Sequence, residues 1–295
     1  MCERSGVPVT IVALSLAAGG CFGVASVLQH RAARSQDPEL SMRAGLIVGL
    51  LREPAWVASN LLDGVGFVCQ FLALRSGSLA LVNPLLVCSL IFAVPAGALL
   101  TRRRVSRAEY LSAGVVVAGL ALFMGAARPG TGLPDAPGIA WVALSCVSAA
   151  AVGCLVILAS TWARPHRALL LAGAGGITWG YASAVTAVAG HALDRGLLHA
   201  LASWSPYAMV ASGALGVLTV QSAFQAGELR MSLPIATVSE PLVAIVIGQL
   251  MFKEHMVTRW PSSVIEVAGL AVMTLGVFAL ARPEVDAWQR GPGGS

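Results

Sequence analysis

Two carboxylates stand inside long apolar stretches of this chain. Asp63 lies in 56–74, beside Gly64 and Gly66, and Glu240 lies in 233–252, directly before Pro241. A charged side chain at mid-depth in a bilayer costs roughly 2.5–3.5 kcal/mol on insertion scales, so such residues turn to the interior of a helix bundle or to a polar pathway. There a carboxylate can hold a cationic group or exchange a proton. Pro241 removes a backbone donor and can open its helix around a ligand. Gln70, Asn83 and Gln221 add neutral hydrogen-bonding groups, with Asn60, Gln225 and Gln249 as further candidates. Trp179 and Tyr181 could stack on an organic solute. The competing roles are structural: polar residues of this kind also tie helices together, and aromatic rings also meet lipid.

Glu109 and Glu266 belong to a different class. Each falls close to an expected helix start, where a carboxylate gains from the positive end of the helix dipole, so capping or anchoring outweighs a place in the pathway. The sequence holds no HExxH, no Walker lysine loop, no GxSxG elbow and no GxGxxG before a helix, so no enzyme and no cofactor is expected. Ala172-Gly173-Ala174-Gly175-Gly176 is glycine-rich but has no following GK[ST], and close helix packing accounts for it. Cys21, Cys69, Cys88, Cys146 and Cys154 fall inside apolar stretches without CxxC spacing and read as packing residues. The five histidines form no ligand cluster, and no metal site is expected.

The elements that position these groups follow from composition. Of 295 residues 57% are hydrophobic and only 11% charged, against about a quarter charged in a soluble domain. A helix rising 1.5 Å per residue needs about 20 residues to cross the hydrocarbon. Nine stretches qualify: 7–28, 56–74, 79–100, 110–127, 139–162, 168–190, 207–226, 233–252 and 264–281. Residues 46–51, pinned between Arg43 and Arg52, are too short to cross and read as an interfacial or re-entrant helix, a tenth span being the alternative. Residues 283–295 read as a short disordered tail.

The first stretch continues to Leu28 without a basic start or a cleavage site, so it is expected to be retained. The net charge of +5 does not indicate nucleic acid, because the basic residues sit in short connections. They are asymmetric. Arg31, Arg34, Arg43, Arg52, Arg102, Arg103, Arg104, Arg107, Arg164, Arg167, Arg230, Arg282 and Arg290 follow odd-numbered stretches; Arg4, Arg75, Arg128, Arg195, Lys253 and Arg259 lie on the other side. Basic residues near span ends stay cytoplasmic, which puts the C-terminus on the cytoplasmic side of the cell membrane and the N-terminus outside.

An internal echo runs through the chain. A shift of 157 positions carries Pro84 to Pro241, Thr101 to Thr258, Glu109 to Glu266 and Gly119 to Gly276. In each copy a polar residue and a proline enter an apolar helix, a charged turn follows, and a Glu opens the last helix. Each copy, from Trp56 or from Tyr207, contains an odd number of helices, so the second crosses in the opposite sense. This is the inverted-repeat plan of many secondary transporters. Residues 1–128 and 137–282 form the two expected repeats.

The chain resembles the drug/metabolite transporter (DMT) superfamily, whose EamA-like domains are inverted repeats of short Gly/Ala-rich helices. Leu51-Arg52-Glu53-Pro54-Ala55-Trp56 is similar to the Leu-Lys-x-Pro-x-Trp start of the second helix in the NIPA magnesium-transporter family. Gly66-Phe67-Val68-Cys69-Gln70-Phe71-Leu72-Ala73-Leu74 is similar to that family's Gly-Glu-x-x-Asn-Phe-x-Ala-Tyr, and Val82-Asn83-Pro84-Leu85 to its Val-Thr-Pro-Leu. Where that family has Glu, this chain has Phe67, and its Tyr is Leu74. The loss of a hard oxygen ligand weakens magnesium as the cargo, although Asp63 lies one turn earlier on the same face. The resemblance implies an all-α polytopic membrane protein that moves a small solute by alternating access. Magnesium or another divalent cation, and a non-transporting membrane scaffold, are the alternatives. The expected partners are the lipid bilayer, a small-molecule or ion substrate, and a second copy of the chain in a homodimer.

Overall fold

Backbone groups in hydrocarbon have no water to bond, so long apolar segments satisfy them by coiling. The computed structural model is accordingly a helical bundle. It describes residues 9–34, 53–100, 102, 104–127, 130, 132–162, 164–226, 229–254 and 262–289. Residues 46–51 lie outside these, as does the question of whether they span.

The described helices are α1 (Val9–Arg34), α2 (Pro54–Ser76), α3 (Leu79–Leu86), α4 (Ser89–Leu100), α5 (Arg107–Ala127), α6 (Gly138–Thr161), α7 (Arg164–Asp194), α8 (Leu197–Ala202), α9 (Ser205–Ala226), α10 (Leu229–Met251) and α11 (Ser262–Gln289). Among the described residues 8 segments are long and apolar enough to cross a membrane, and Ile235–Met251 is a shorter apolar helix. Large apolar side chains point outward, as they must where lipid is the solvent: Leu61, Leu111, Ile139 and Leu250 are among the exposed ones. α6 is the most peripheral of the spanning segments, with 11% of its apolar window buried.

Three of the expected helices depart from the sequence reading. Residues 79–100 read as one span, but the helix breaks at Val87 and Cys88 into α3 and α4. Pro84 and Pro95 each remove a donor from the ladder, one on either side of the break. Across it Val87 N–H donates to Pro84 O and Cys88 N–H to Leu85 O, a tighter three-residue pattern. α1 packs against this junction through glycine: a Cβ on Gly23 would lie 2.1 Å from Ser89 O. The reverse holds in α10, which Pro241 could open. α10 runs unbroken from Leu229 to Met251. The proline frees one carbonyl, that of Thr237, and α7 packs tightly along the same segment. α11 also outruns its expected end, remaining helical over 283–289 through Pro283.

α5 and α11 cross at close range. A Cβ on Gly119 would lie 2.3 Å from Met273 N, one on Gly269 2.6 Å from Phe123 N, and one on Gly276 2.7 Å from Val116 N. Without a hydrophobic drive between helices in lipid, this backbone-to-backbone approach supplies the dispersion contact that holds the pair. Elsewhere α1 packs on α2 and on α3–α4, α7 packs on α9 and α10, α2 meets α7, and α1 meets α9.

One end of the bundle is densely bonded. Glu254, just beyond α10, accepts hydrogen bonds from Leu79 N–H (2.6 Å) and Ala80 N–H (3.0 Å), so its carboxylate caps α3 from 175 residues away. Leu133 N–H donates to Phe252 O at 2.6 Å. Trp141 packs on Trp204, Phe252 and Tyr181 with ring centroids 5.0, 5.9 and 6.4 Å apart. Arg75 of α2 forms an ion pair with Asp194 of α7, its Nε 2.7 Å from Oδ1.

Candidate functional site

Asp63 and Gln70 stand seven residues apart on α2, nearly in line along one face and about 10 Å apart along the axis. The face is kept close to α1 by Gly66, where a Cβ would lie 2.8 Å from the Phe22 ring. Asp63 Oδ2 accepts a short hydrogen bond from Gln29 Nε2 of α1. Gln29 Oε1 in turn accepts from Gln221 Nε2 of α9 at 3.1 Å. A polar chain therefore runs Gln221, Gln29, Asp63 across three helices.

Gln70 begins a second chain. Its Nε2 lies 3.3 Å from Ser183 Oγ of α7, and Ser183 Oγ lies 3.5 Å from Glu240 Oε1 of α10. The last distance is at the outer limit of a hydrogen bond. Glycines bring α10 near enough: a Cβ on Gly176 would lie 2.3 Å from Ser239 Cβ, and one on Gly180 3.0 Å from Glu240 O. The glycine run in α7 thus serves helix packing, with Gly175 against Val220 of α9 and Gly176 against α10.

The five principal candidates are not gathered at one point. Asp63 and Gln221 share the first chain, and Gln70 and Glu240 share the second. Asn83 is buried in α3 with Nδ2 3.4 Å from Leu79 O, and its Oδ1 has no hydrogen-bond partner. Of the further candidates, Asn60 Nδ2 donates to Trp56 O at 2.7 Å within its own helix. Gln249 is exposed on α10, and Gln225 is half-buried at the end of α9. Trp179 lies against Gly216, where a Cβ would meet its ring at 2.8 Å, and the Tyr181 hydroxyl is 2.9 Å from Ser145 Oγ. Both rings are engaged in packing between helices.

Glu109 is 1% exposed and forms a reciprocal cap with Ser106: Ser106 N–H donates to Glu109 Oε2 at 2.6 Å and Glu109 N–H to Ser106 Oγ at 3.2 Å. Glu266 sits deeper in its helix, and its buried Oε1 has no partner. Cys146 and Cys154 are exposed on α6 and so do not fill the interior, as packing cysteines would; Cys88 is buried. Among the described residues no three His, Cys, Asp or Glu side chains converge as metal ligands. A crevice of about 380 Å³ between α1 and α4 is lined by Val24, Val27, Leu28, Ala96, Leu99 and Leu100 and reaches neither chain.

Gln29, Ser183 and Glu254 escaped the sequence reading. Gln29 resembles the polar end of a span, yet it continues a seven-residue stripe through Ser15 and Phe22. Ser183 continues the stripe of Gly176 and Gly180. Glu254 sits in a charged turn, where nothing local distinguishes it from a solvated residue. In the structure, burial pushes its carboxyl above the ordinary Glu range, while the hydrogen bonds from Ala80 and Leu79 pull the other way.

An all-helical bundle with apolar outer faces and polar chains in its interior defines a multi-pass membrane protein. A curated protein of Corynebacterium glutamicum, described as uncharacterized, is 29% identical over 273 residues, which cover 92% of this chain and 94% of that protein. No family model matches the sequence, and no solved structure matches it.

Proposed function

We propose that the protein is a secondary transporter with the EamA-like plan of the DMT superfamily, moving a small solute across the cell membrane by alternating access. The observation that supports this most is the correspondence between the two polar chains. Gln70 of α2 reaches Ser183 of α7, while Gln221 of α9 reaches Gln29 of α1. Exchange of the two halves of the chain converts one contact into the other.

The packing has the same correspondence. α1 on α2 matches α7 on α9, and α1 on α3–α4 matches α7 on α10, while α5 and α11 pack on each other. With nine spans, 1–128 and 137–282 are read as inverted repeats, and among the described residues α6 is the helix without a counterpart in the first half. Solute sites in such proteins lie between the repeats, and both polar chains join helices of the two halves. The bonded end formed by Glu254 and the Arg75–Asp194 pair acts as the closed gate. The excess of arginine at the opposite end makes that end cytoplasmic, with the C-terminus inside.

Phe67, where the magnesium family has Glu, packs on Phe71 with centroids 6.4 Å apart and supplies no oxygen to a cation. An organic solute is therefore preferred to a divalent cation.

The test is accessibility. A single cysteine at Ser183 in a cysteine-free background, in proteoliposomes, is expected to react from both sides, with the ratio shifted by a bound solute. Reaction from neither side, with no uptake of any amine, amino acid, nucleotide sugar or divalent metal, would leave a non-transporting scaffold.

A further inference from the structure

In the first polar chain both amides donate inward. Gln221 Nε2 donates to Gln29 Oε1, and Gln29 Nε2 donates to Asp63. An acceptor is left over. Gln221 is 2% exposed, and its Oε1 is buried without a hydrogen-bond partner. Asp63 makes no ion pair among the described residues, where the salt bridge is Arg75–Asp194. A bare acceptor in the interior has lost its hydration and gained nothing in return, so at the head of a chain ending in a carboxylate it calls for a donor. An anion would meet the negative charge of Asp63. An ammonium group brings three donors and a compensating charge.

We propose that Gln221, Gln29 and Asp63 form the recognition subsite for a protonated primary amine, bound by Gln221 Oε1 and by the Asp63 carboxylate in place of the Gln29 amide. This deepens the transport reading and rests on it only in making the amine the solute carried. Binding has a structural consequence. Gln29 belongs to α1, which packs on both α2 and α9, so displacing its amide from Asp63 breaks a cross-link between α1 and α2.

The probe is propylammonium, with butyrate and propanol as anionic and neutral controls of similar size, titrated calorimetrically into the full-length protein in nanodiscs. Saturable binding of propylammonium alone is expected. Q221L is expected to weaken it at least about tenfold, the weight of one hydrogen bond to a charged group. D63N should weaken it further, and Q221E should strengthen it by adding charge. Melting curves report folding, and if Q221L fails to fold, Q221E and D63N carry the test.

Equal binding of propanol or butyrate, absence of saturable propylammonium binding, or unchanged affinity in the folded variants overturns the subsite. Uptake of radiolabelled propylammonium into proteoliposomes separates the two readings. Binding without uptake keeps the subsite and removes transport of the amine; uptake of some other solute without amine binding removes the subsite alone.

Discussion

Gln221 Nε2 lies 3.1 Å from Gln29 Oε1, joining α9 to α1 across 192 residues of sequence. Each glutamine is bonded through one end of its amide to the other helix, and Gln29 passes the connection on to Asp63 of α2. Three helices that share no local sequence relation thus meet through hydrogen bonds in a region otherwise filled by apolar side chains. Interhelical bonds of this kind are individually modest, commonly about 0.6 kcal/mol in lipid, so they can be exchanged without unfolding the bundle.

Asp63→Asn and Glu240→Gln keep size and most hydrogen-bonding capacity while removing ionisation. Both proteins are expected to accumulate in the membrane at normal levels, and at least one to lose substrate binding or the pH dependence of uptake. Unchanged affinity, rate and pH profile in both would make these acids structural.

Gly119→Ala puts a methyl group 2.3 Å from Met273 N and 2.7 Å from Met273 Cα, both backbone atoms. The α5–α11 crossing must then separate, and a loss of about 1–3 kcal/mol is expected. At Gly125 an added Cβ meets nothing within 4 Å, and the same change is expected to be neutral or to stabilise by about 0.5–1 kcal/mol. Melting temperatures of the two variants in one detergent compare them directly; a Gly119 variant as stable as the Gly125 variant would show the crossing to be loose.

Glu254 governs a pH effect whose sign follows from its raised carboxyl. Between the ordinary Glu value of about 4.3 and that raised value, the folded protein binds more protons than the unfolded chain. This contribution to stability is therefore present at low pH and is lost as pH rises through the folded value. Glu254→Gln is expected to flatten that slope in melting temperature against pH. Glu254→Ala also uncaps Leu79 and Ala80, with a loss of about 0.5–2 kcal/mol. A slope unaltered in the Gln variant would assign the pH effect to other groups.

Topology is testable without a substrate. A reporter active only in the cytoplasm is expected to work when fused after Arg282, following the bias of thirteen basic residues over six. Cysteines placed singly at Met42 and Ala55 are expected to be labelled from the same side. Labelling from opposite sides would make residues 46–51 part of a tenth span and bring the N-terminus into the cytoplasm.

Phe67→Glu restores the magnesium family's carboxylate one turn from Asp63. The unmodified protein is expected to take up Mg²⁺ poorly and the variant to interact with it more strongly, as flux measured with a fluorescent Mg²⁺ indicator in proteoliposomes would record. Robust, saturable Mg²⁺ uptake by the unmodified protein would restore the cation as cargo.

The sequence by itself determined that the chain is a multi-pass helical membrane protein, because the length and apolarity of a span are local properties and lipid imposes helix on any such run. It also isolated Asp63 and Glu240, since a carboxylate in an apolar run is conspicuous at a single position. Which residues face them was decided only by tertiary structure. Gln29 could as well have marked the end of α1, and Ser183 is one hydroxyl among many; each acquired its partner when glycines on α2 and α7 let neighbouring helices approach. Glu254 lies furthest from prediction, because its role depends on the N-terminus of α3, 175 residues away in the chain. The proline in α10 shows the same limit from the other side. A missing donor is legible in sequence, but whether the helix opens there depends on the packing of its neighbour, and α10 stays helical against α7 where the proline alone would permit a break.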